Sequence, residues 1–399
     1  MEIGKLNSPL ERGQGGAESK NMPSETNLEK QILATVVYYN ILDYPLTCFE
    51  IFLYLVKIPL TPFDKGGNCS QFSILNSLDT SKYLKKYLDQ KYGFYFLKNR
   101  NRWLHSPEGL WSSNAEYNHE KNLDTNGLHS LKGTMEPAKT NEKIDIVQQR
   151  LERKKLADWK WKKARKIFRI TQIIPFMKMV LVSGSLAFGN SKDESDIDVI
   201  IIAKKGRIWT VRAFATLLTC ILGVRRHSKI TKNKICLNHY ITDQSLKIPF
   251  ESLYNAQSYV HLVNVYRSQE DERLFEEFQK ENKWIKKYVE NYEVSELENF
   301  RGIRRNKILG FISKIFEIIL SGKPGIYLEK KLSEIQSRKI KNNPLYEKAG
   351  GRITANDNQL EFHPNSHEAR IIPKFNQWTK KLGLFEFAGQ KDSGLRHRG

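Results

Sequence analysis

Cysteine is scarce in this chain, and what there is lies scattered. Of 399 residues only four are cysteines, Cys48, Cys69, Cys220 and Cys236. None forms a CxxC pair and no nearby histidine completes a zinc pattern, which excludes a disulfide scaffold and a zinc module and points to reduced thiols in a cytoplasmic protein. The opening residues, MEIGKLNSPLERGQGGAESK, have no apolar stretch, so they do not read as a secretory signal. A long hydrophobic run is also missing. The nearest, Ile208 to Val224, falls short of the roughly 20 residues a membrane span needs and carries Arg212 inside it, so it reads as a buried core helix. Acidic side chains are in short supply as well: 44 Asp and Glu stand against 65 Lys and Arg, a net charge of +21. Such a balance attracts polyanions, whether nucleic acid, nucleotide phosphates or acidic membrane, and it also fits a solvated basic surface.

What is present suffices for real cores. Hydrophobic residues make up 40% and charged residues 27%, which excludes a wholly disordered chain. At about 150 residues per domain the length predicts two to three domains. Residues 1–26 are polar and Gly- and Ser-rich and read as a disordered tail. Residues 27–106 offer three helical patterns, Glu29–Asn40, Leu46–Val56 and Ser73–Gln90. An aromatic-rich stretch follows, with Asn99-Arg100-Asn101 as the expected hairpin turn. Three helices and then a hairpin is the order of a winged helix, a variant of helix-turn-helix. Residues 107–148 are polar and without periodicity, and read as a linker or insertion. From Arg153 to Arg169 runs a basic helix, either a phosphate-binding stripe or a solvated outer face. The core is expected over 149–250, and residues 251–399 read as mostly helical, with a Gly- and Asn-rich break at 341–358 and no internal repeat.

The chemistry is concentrated in Met179 to Ala203, MVLVSGSLAFGNSKDESDIDVIIIA. A short apolar strand stops at Gly184-Ser185. A polar loop then leads to Asp196-Ile197-Asp198 on the front of a very apolar strand. Residues i and i+2 of a strand share a face, so Asp196 and Asp198 project together. Two carboxylates so close repel unless a cation neutralises them, and a hard ion such as Mg²⁺, which brings phosphate with it, is the usual solution. Gly184 lets the backbone approach a phosphate, and Ser185 offers a hydroxyl and an N–H. The run GSLAFGNS also has Gly-x4-Gly spacing, but Asn190 stands where a P-loop requires lysine. Two exposed aspartates in a strand–turn–strand remain the plainer alternative.

Gly184-Ser185, ten intervening residues, then Asp196-Ile197-Asp198 and apolar residues resemble the signature of the DNA polymerase beta-like nucleotidyltransferase superfamily. The resemblance covers about residues 150–250. It implies an α/β (α+β) fold with a small mixed sheet, here carrying an N-terminal winged-helix-like module and a helical C-terminal region. It further implies transfer of a nucleoside monophosphate from an NTP to an acceptor. Gly184 and Ser185 would hold phosphates, and Asp196 and Asp198 would ligate Mg²⁺ for an in-line displacement. Lys204 and Arg207, just after the strand, fit a triphosphate; Arg225, Arg226 and the lysines near them read more readily as surface. The family's third carboxylate is missing from the expected strand Lys234–Thr242, where Asn238 is best placed and Asp243 lies just past the end. An amide takes no proton at neutral pH. A non-catalytic, nucleotide-gated nucleic-acid-binding protein is therefore the alternative. His239 and His363 show no partner in sequence, and the acceptor, nucleic acid, protein or small molecule, is not specified.

Overall fold

The computed structural model describes residues 26–58, 69–99, 145–227, 230–293, 301–343, 352–363 and 366–385. The expected tail, except Thr26, and the expected linker, except residues 145–148, lie outside the described residues. Helix α1 (Asn27–Ile41) begins at a reciprocal cap, in which Glu29 N donates to Thr26 Oγ1 (3.2 Å) and Thr26 N donates to Glu29 Oε2 (2.8 Å). Thr47 and Glu50 repeat the device at α2 (Cys48–Leu53), directly after β1 (Leu46–Thr47). Helices α3 (Gln71–Thr80) and α4 (Lys82–Tyr87) lead into β2 (Leu88–Lys91) and β3 (Phe94–Leu97), which form an antiparallel sheet in the order β1-β3-β2.

A hairpin precedes the expected one, whose turn at Asn99-Arg100-Asn101 lies, except for Asn99, outside the described residues. The turn of this earlier hairpin is Tyr92-Gly93, with φ of 53° and 78°, the left-handed pair that a two-residue turn needs to match strand twist. The expected third helix accordingly stops at Tyr87, because Leu88 already pairs with Leu97. Leu88-Asp89-Gln90-Lys91 has a single apolar side chain, so its strand character leaves no trace in the hydrophobic pattern.

A six-stranded sheet organises the rest. After α5 (Ile146–Thr171) come β4 (Met177–Val182), α6 (Gly184–Ala187), β5 (Ile197–Ala203), α7 (Ile208–Ile221) and β6 (Ile235–Thr242). Strands β5 and β6 pair in parallel, with α7 as the crossover. Strands β4 and β5 lack a polar face because both sides are covered. Val180, Val182 and Ile201 pack with Trp161, Phe168 and Trp209, while Met179, Leu181 and Ile200 pack on the other side with Phe278 and Trp284.

The chain continues through α8 (Leu253–Tyr259), β7 (Val263–Asn264), β8 (Tyr266–Arg267), α9 (Gln269–Glu281) and β9 (Ile303–Arg304). It then forms α10 (Lys307–Ile319), α11 (Lys323–Lys341), β10 (Arg352–Ala355), β11 (Gln359–His363) and α12 (Glu368–Lys381). The large sheet has the order β10-β11-β6-β5-β4-β7, so the architecture is mixed α and β. No helix among the described residues is long and apolar enough to cross a membrane.

Two features depart from the expected division at residues 106 and 250. The β10–β11 hairpin, from the region expected to be mostly helical, completes the sheet by pairing with β6. Helix α12 supplies Ile371, Phe375 and Trp378 to the core built by α1, so residues 27–106 do not close a core by themselves. Arg150 joins the same unit to α5: it donates to Pro45 O and to Glu50 Oε1 (2.6 Å) and lies over the rings of Tyr44 and Phe94.

In this core His261 is packed among Tyr39, Tyr54 and Phe188, with Nε2 2.7 Å from Tyr39 Oη. Burial pushes its pKa down from 6.5 to about 3. The unfolded chain therefore binds a proton below pH 6.5 that the folded chain refuses, and folding loses stability as pH falls from 6.5 towards 3. Chemical unfolding across this window should show that slope in the wild type and a shallower one in His261→Phe, where Tyr39 keeps its bond to Gln257 (2.8 Å). An unchanged slope would contradict the assignment.

Candidate functional site

The end of β4 is tied to β5 by Ser183 N, which donates to Asp198 O (3.0 Å). The chain then turns sharply at Gly184, whose φ is +62°. A Cβ here would lie 2.6 Å from Asp198 Oδ2, so glycine is demanded both by the backbone angle and by the carboxylate pressed against it. Ser185 follows, half-exposed, in the single turn α6; its carbonyl accepts from Asn190 N (2.8 Å) and Trp161 Nε1 holds Leu186 O (3.1 Å).

The loop that carries the chain to Asp196 is clamped from beneath. The buried ammonium of Lys160, on α5, donates to the carbonyls of Lys192 (2.6 Å), Asp193 (3.1 Å) and Ser195 (2.7 Å). Burial lowers its pKa, against the pull of Asp193 and Glu194. Lys160 thus serves the loop rather than solvent: it supplies a donor to Asp193 O and a second donor to Lys192 O and Ser195 O, which also accept from Ser195 N (3.2 Å) and Asn233 N (3.2 Å).

Asp196 and Asp198 do project together. Arg226, which precedes β6, donates through Nη1 to Asp196 Oδ2 (2.6 Å) and lies 3.2 Å from Cys236 Sγ. Cys236 is the parallel-strand neighbour of Asp198, and the ligand atoms of Asp196, Asp198 and Cys236 all lie within 4.8 Å of one another. Burial, and then the charge of Asp196, push Asp198 up to about 6, while His363 and Arg226 pull it back. Burial and both carboxylates also push the Cys236 thiol up, so it stays protonated at neutral pH.

A second polar chain borders the carboxylates. His363 Nδ1 lies 3.1 Å from Glu361 Oε1, and His363 Nε2 lies 2.9 Å from Asn238 Nδ2. Burial alone would raise the Glu361 carboxyl, but the hydrogen bond from His363 and the fields of His239 and Arg352 outweigh it and hold it at about 2. The carboxylate therefore fixes the imidazole with its proton on Nδ1 and leaves Nε2 as the basic nitrogen.

The structure separates other residues that the sequence grouped. Lys204 and Arg207 follow the far end of β5, about 20 Å from Asp198 at a rise of roughly 3.3 Å per residue. Arg207 is buried there, stacked on Phe176 and bonded to Ser321 O (3.3 Å), so neither residue meets a phosphate held at Gly184. Asp243 is at that far end too, accepting from Lys205 N (2.9 Å), and does not supply the third acid. Asn238 faces His363 rather than the carboxylate pair, and Cys236 occupies the place beside Asp198. His363 has partners after all, and Arg226 is part of the site rather than bare surface. Of the residues that the sequence reading missed, Cys236 alone had a signal there: in KICLNHYIT it falls on the same face as Asn238, whereas Lys160 and Glu361 had none.

No protein-family model matches the chain, and neither does any curated protein or any solved structure. Replacing Lys160 by Met keeps most of its apolar stem but removes the donor to Asp193 O and one of two donors to Lys192 O and Ser195 O. Urea unfolding of Lys160→Met should show a loss of about 1–3 kcal/mol relative to wild type. A variant as stable as the wild type would mean the clamp is dispensable.

Proposed function

We propose that this protein is a nucleotidyltransferase of the DNA polymerase beta-like type, moving a nucleoside monophosphate from an NTP to an acceptor hydroxyl. One observation carries the reading: Gly184, in a left-handed turn, lies directly against a carboxylate that shares its strand face with a second one. Such a turn leaves the backbone bare beside two metal-seeking groups, the arrangement a metal–triphosphate requires.

The donor set fits Mg²⁺ through the oxygens of Asp196 and Asp198; the protonated Cys236 adds no charge to it. When bound, the metal would neutralise the triphosphate and the charge that develops in displacement at phosphorus. The protein's own part is positional. Gly184 and Ser185 receive the outer phosphates, and Lys160 fixes the loop that aims Asp196. Arg226, now on Asp196, is the nearest cation to exchange its carboxylate for phosphate. Among the described residues no third carboxylate lies beside the pair; His363 would take the acceptor's proton at Nε2 once Asn238 Nδ2, which now donates to that nitrogen, gives way, and Glu361 stabilises the ring as it becomes charged.

Nucleic-acid binding by the N-terminal unit has less to support it. The exposed side chains of α3 include Gln71, Phe72, Leu75, Asn76 and Asp79 but no base, and the lysines lie instead on α4. A helix, a short strand, three further helices and a hairpin, in that order, support the winged-helix reading of shape without implying a DNA-reading helix.

Thermal shift with each Mg·NTP should raise the melting temperature of the wild type, while NTP with EDTA raises it far less and Asp196→Asn/Asp198→Asn removes the difference. Gly184→Ala, if folded, should weaken nucleotide binding, because the new methyl displaces Asp198. Label transfer from each α-labelled NTP to cell extract should be detectable in the wild type. It should fall roughly 10²-fold or more in His363→Gln at unchanged nucleotide affinity. Mg·NTP binding without transfer in any condition would replace the enzyme by a non-catalytic nucleotide-binding protein. No metal-dependent shift at all would overturn the reading.

A further inference from the structure

Helix α10 is oriented against the usual rule for an amphipathic helix. Its uncharged polar residue and its acid face the protein: Ser313 is buried and donates to Ile174 O (3.2 Å), and Glu317 Oε1 accepts from Phe176 N (2.7 Å). Its apolar residues face out. Ile308, Phe311, Ile318 and Ile319 are 72%, 65%, 73% and 60% exposed, and Ile315 is 42% exposed. At 3.6 residues per turn these five side chains fall within an arc of about 100°. Lys307 and Lys314, one heptad apart, border that arc beside Ile318, and both are exposed. The following helix α11 continues the pattern with Ile326 and Tyr327 exposed between Lys323 and Lys330. The corner between the helices is fixed, because a side chain at Gly325 would collide with the backbone of Leu320.

We propose that α10 and the start of α11 form a docking face for an anionic lipid surface, with α10 lying in the plane of the membrane. The argument is complementarity in two respects at once. Five large apolar side chains on one arc gain by entering the acyl boundary, and the lysines beside them gain from anionic headgroups. A second copy of this chain would satisfy only the first. It would bring Lys307 and Lys314 against an equally basic rim, and the sole acid of α10, Glu317, is turned inward. The net charge of +21 acts in the same direction at longer range.

Sedimentation of the full chain with vesicles tests the proposal. Vesicles of phosphatidylcholine with phosphatidylglycerol should carry the protein down at low salt, and vesicles of phosphatidylcholine alone should carry far less. Phe311→Ser/Ile318→Ser, which leaves net charge unchanged and alters exposed positions only, should weaken partitioning roughly tenfold or more. Lys307→Gln/Lys314→Gln should reduce the preference for the anionic lipid. Binding that survives Phe311→Ser/Ile318→Ser would reduce the effect to adhesion of a basic protein and overturn the proposal. Absence of binding to either vesicle would do the same, as would a dimer in sedimentation equilibrium that this variant dissociates.

Discussion

The arrangement of this molecule's centre follows from one electrostatic conflict, two carboxylates two residues apart on a strand whose other side chains are buried. Neither can turn away, because the intervening Ile197 is committed to the core. Each neighbour answers part of the conflict. Arg226 neutralises Asp196, and burial raises the proton affinity of Asp198. Cys236 contributes a neutral thiol where another acid would deepen the repulsion. The loop approaching the pair is held by a lysine whose three partners are all backbone oxygens, so the loop is fixed without a further carboxylate. Acceptors that carry no formal charge are the suitable choice so near two that do.

Much of this centre was legible in the sequence because it is local. The apolar strand, the glycine turn and the paired aspartates occupy one continuous stretch, and period-two alternation fixes which side chains share a face. What escaped is what sheet pairing brings from a distance. Cys236 arrives through the parallel register of β6 with β5, and Glu361 and His363 through the antiparallel register of β11 with β6. Registers of this kind are set by whole strands and leave no mark near the motif. Lys204 and Arg207 show the opposite error. They are close to Asp198 along the chain, but an extended strand carries them away at its full rise per residue. The hairpin of β2 and β3 went unnoticed for a third reason: turn chemistry at Tyr92-Gly93 decided it, while aromatic content drew attention further on.

The polar and apolar faces of the molecule also divide its labour. Around the carboxylates, charged and polar groups are enclosed and matched to specific partners at hydrogen-bond distance. On α10 the roles are exchanged, with polar side chains used for attachment and apolar ones presented to the outside. The inward bonds of Ser313 and Glu317 go to main-chain groups at Ile174 and Phe176, the residues leading into β4. The outward face is therefore mechanically continuous with the strand that ends at Gly184.

Helix α12 carries a consequence for biosynthesis. Helix α1 buries Tyr38 against Phe375, and Ile371 and Trp378 close the same core. These side chains leave the ribosome long after their partners on α1. During translation the N-terminal unit must wait with an apolar face uncovered until residues 368–381 emerge, and only then does cooperative folding have all its parts. A nascent chain of this protein is thus committed late. Removal of residues 368–381 would be felt first at α1, leaving the central strands intact but the core around Tyr38 without its lid.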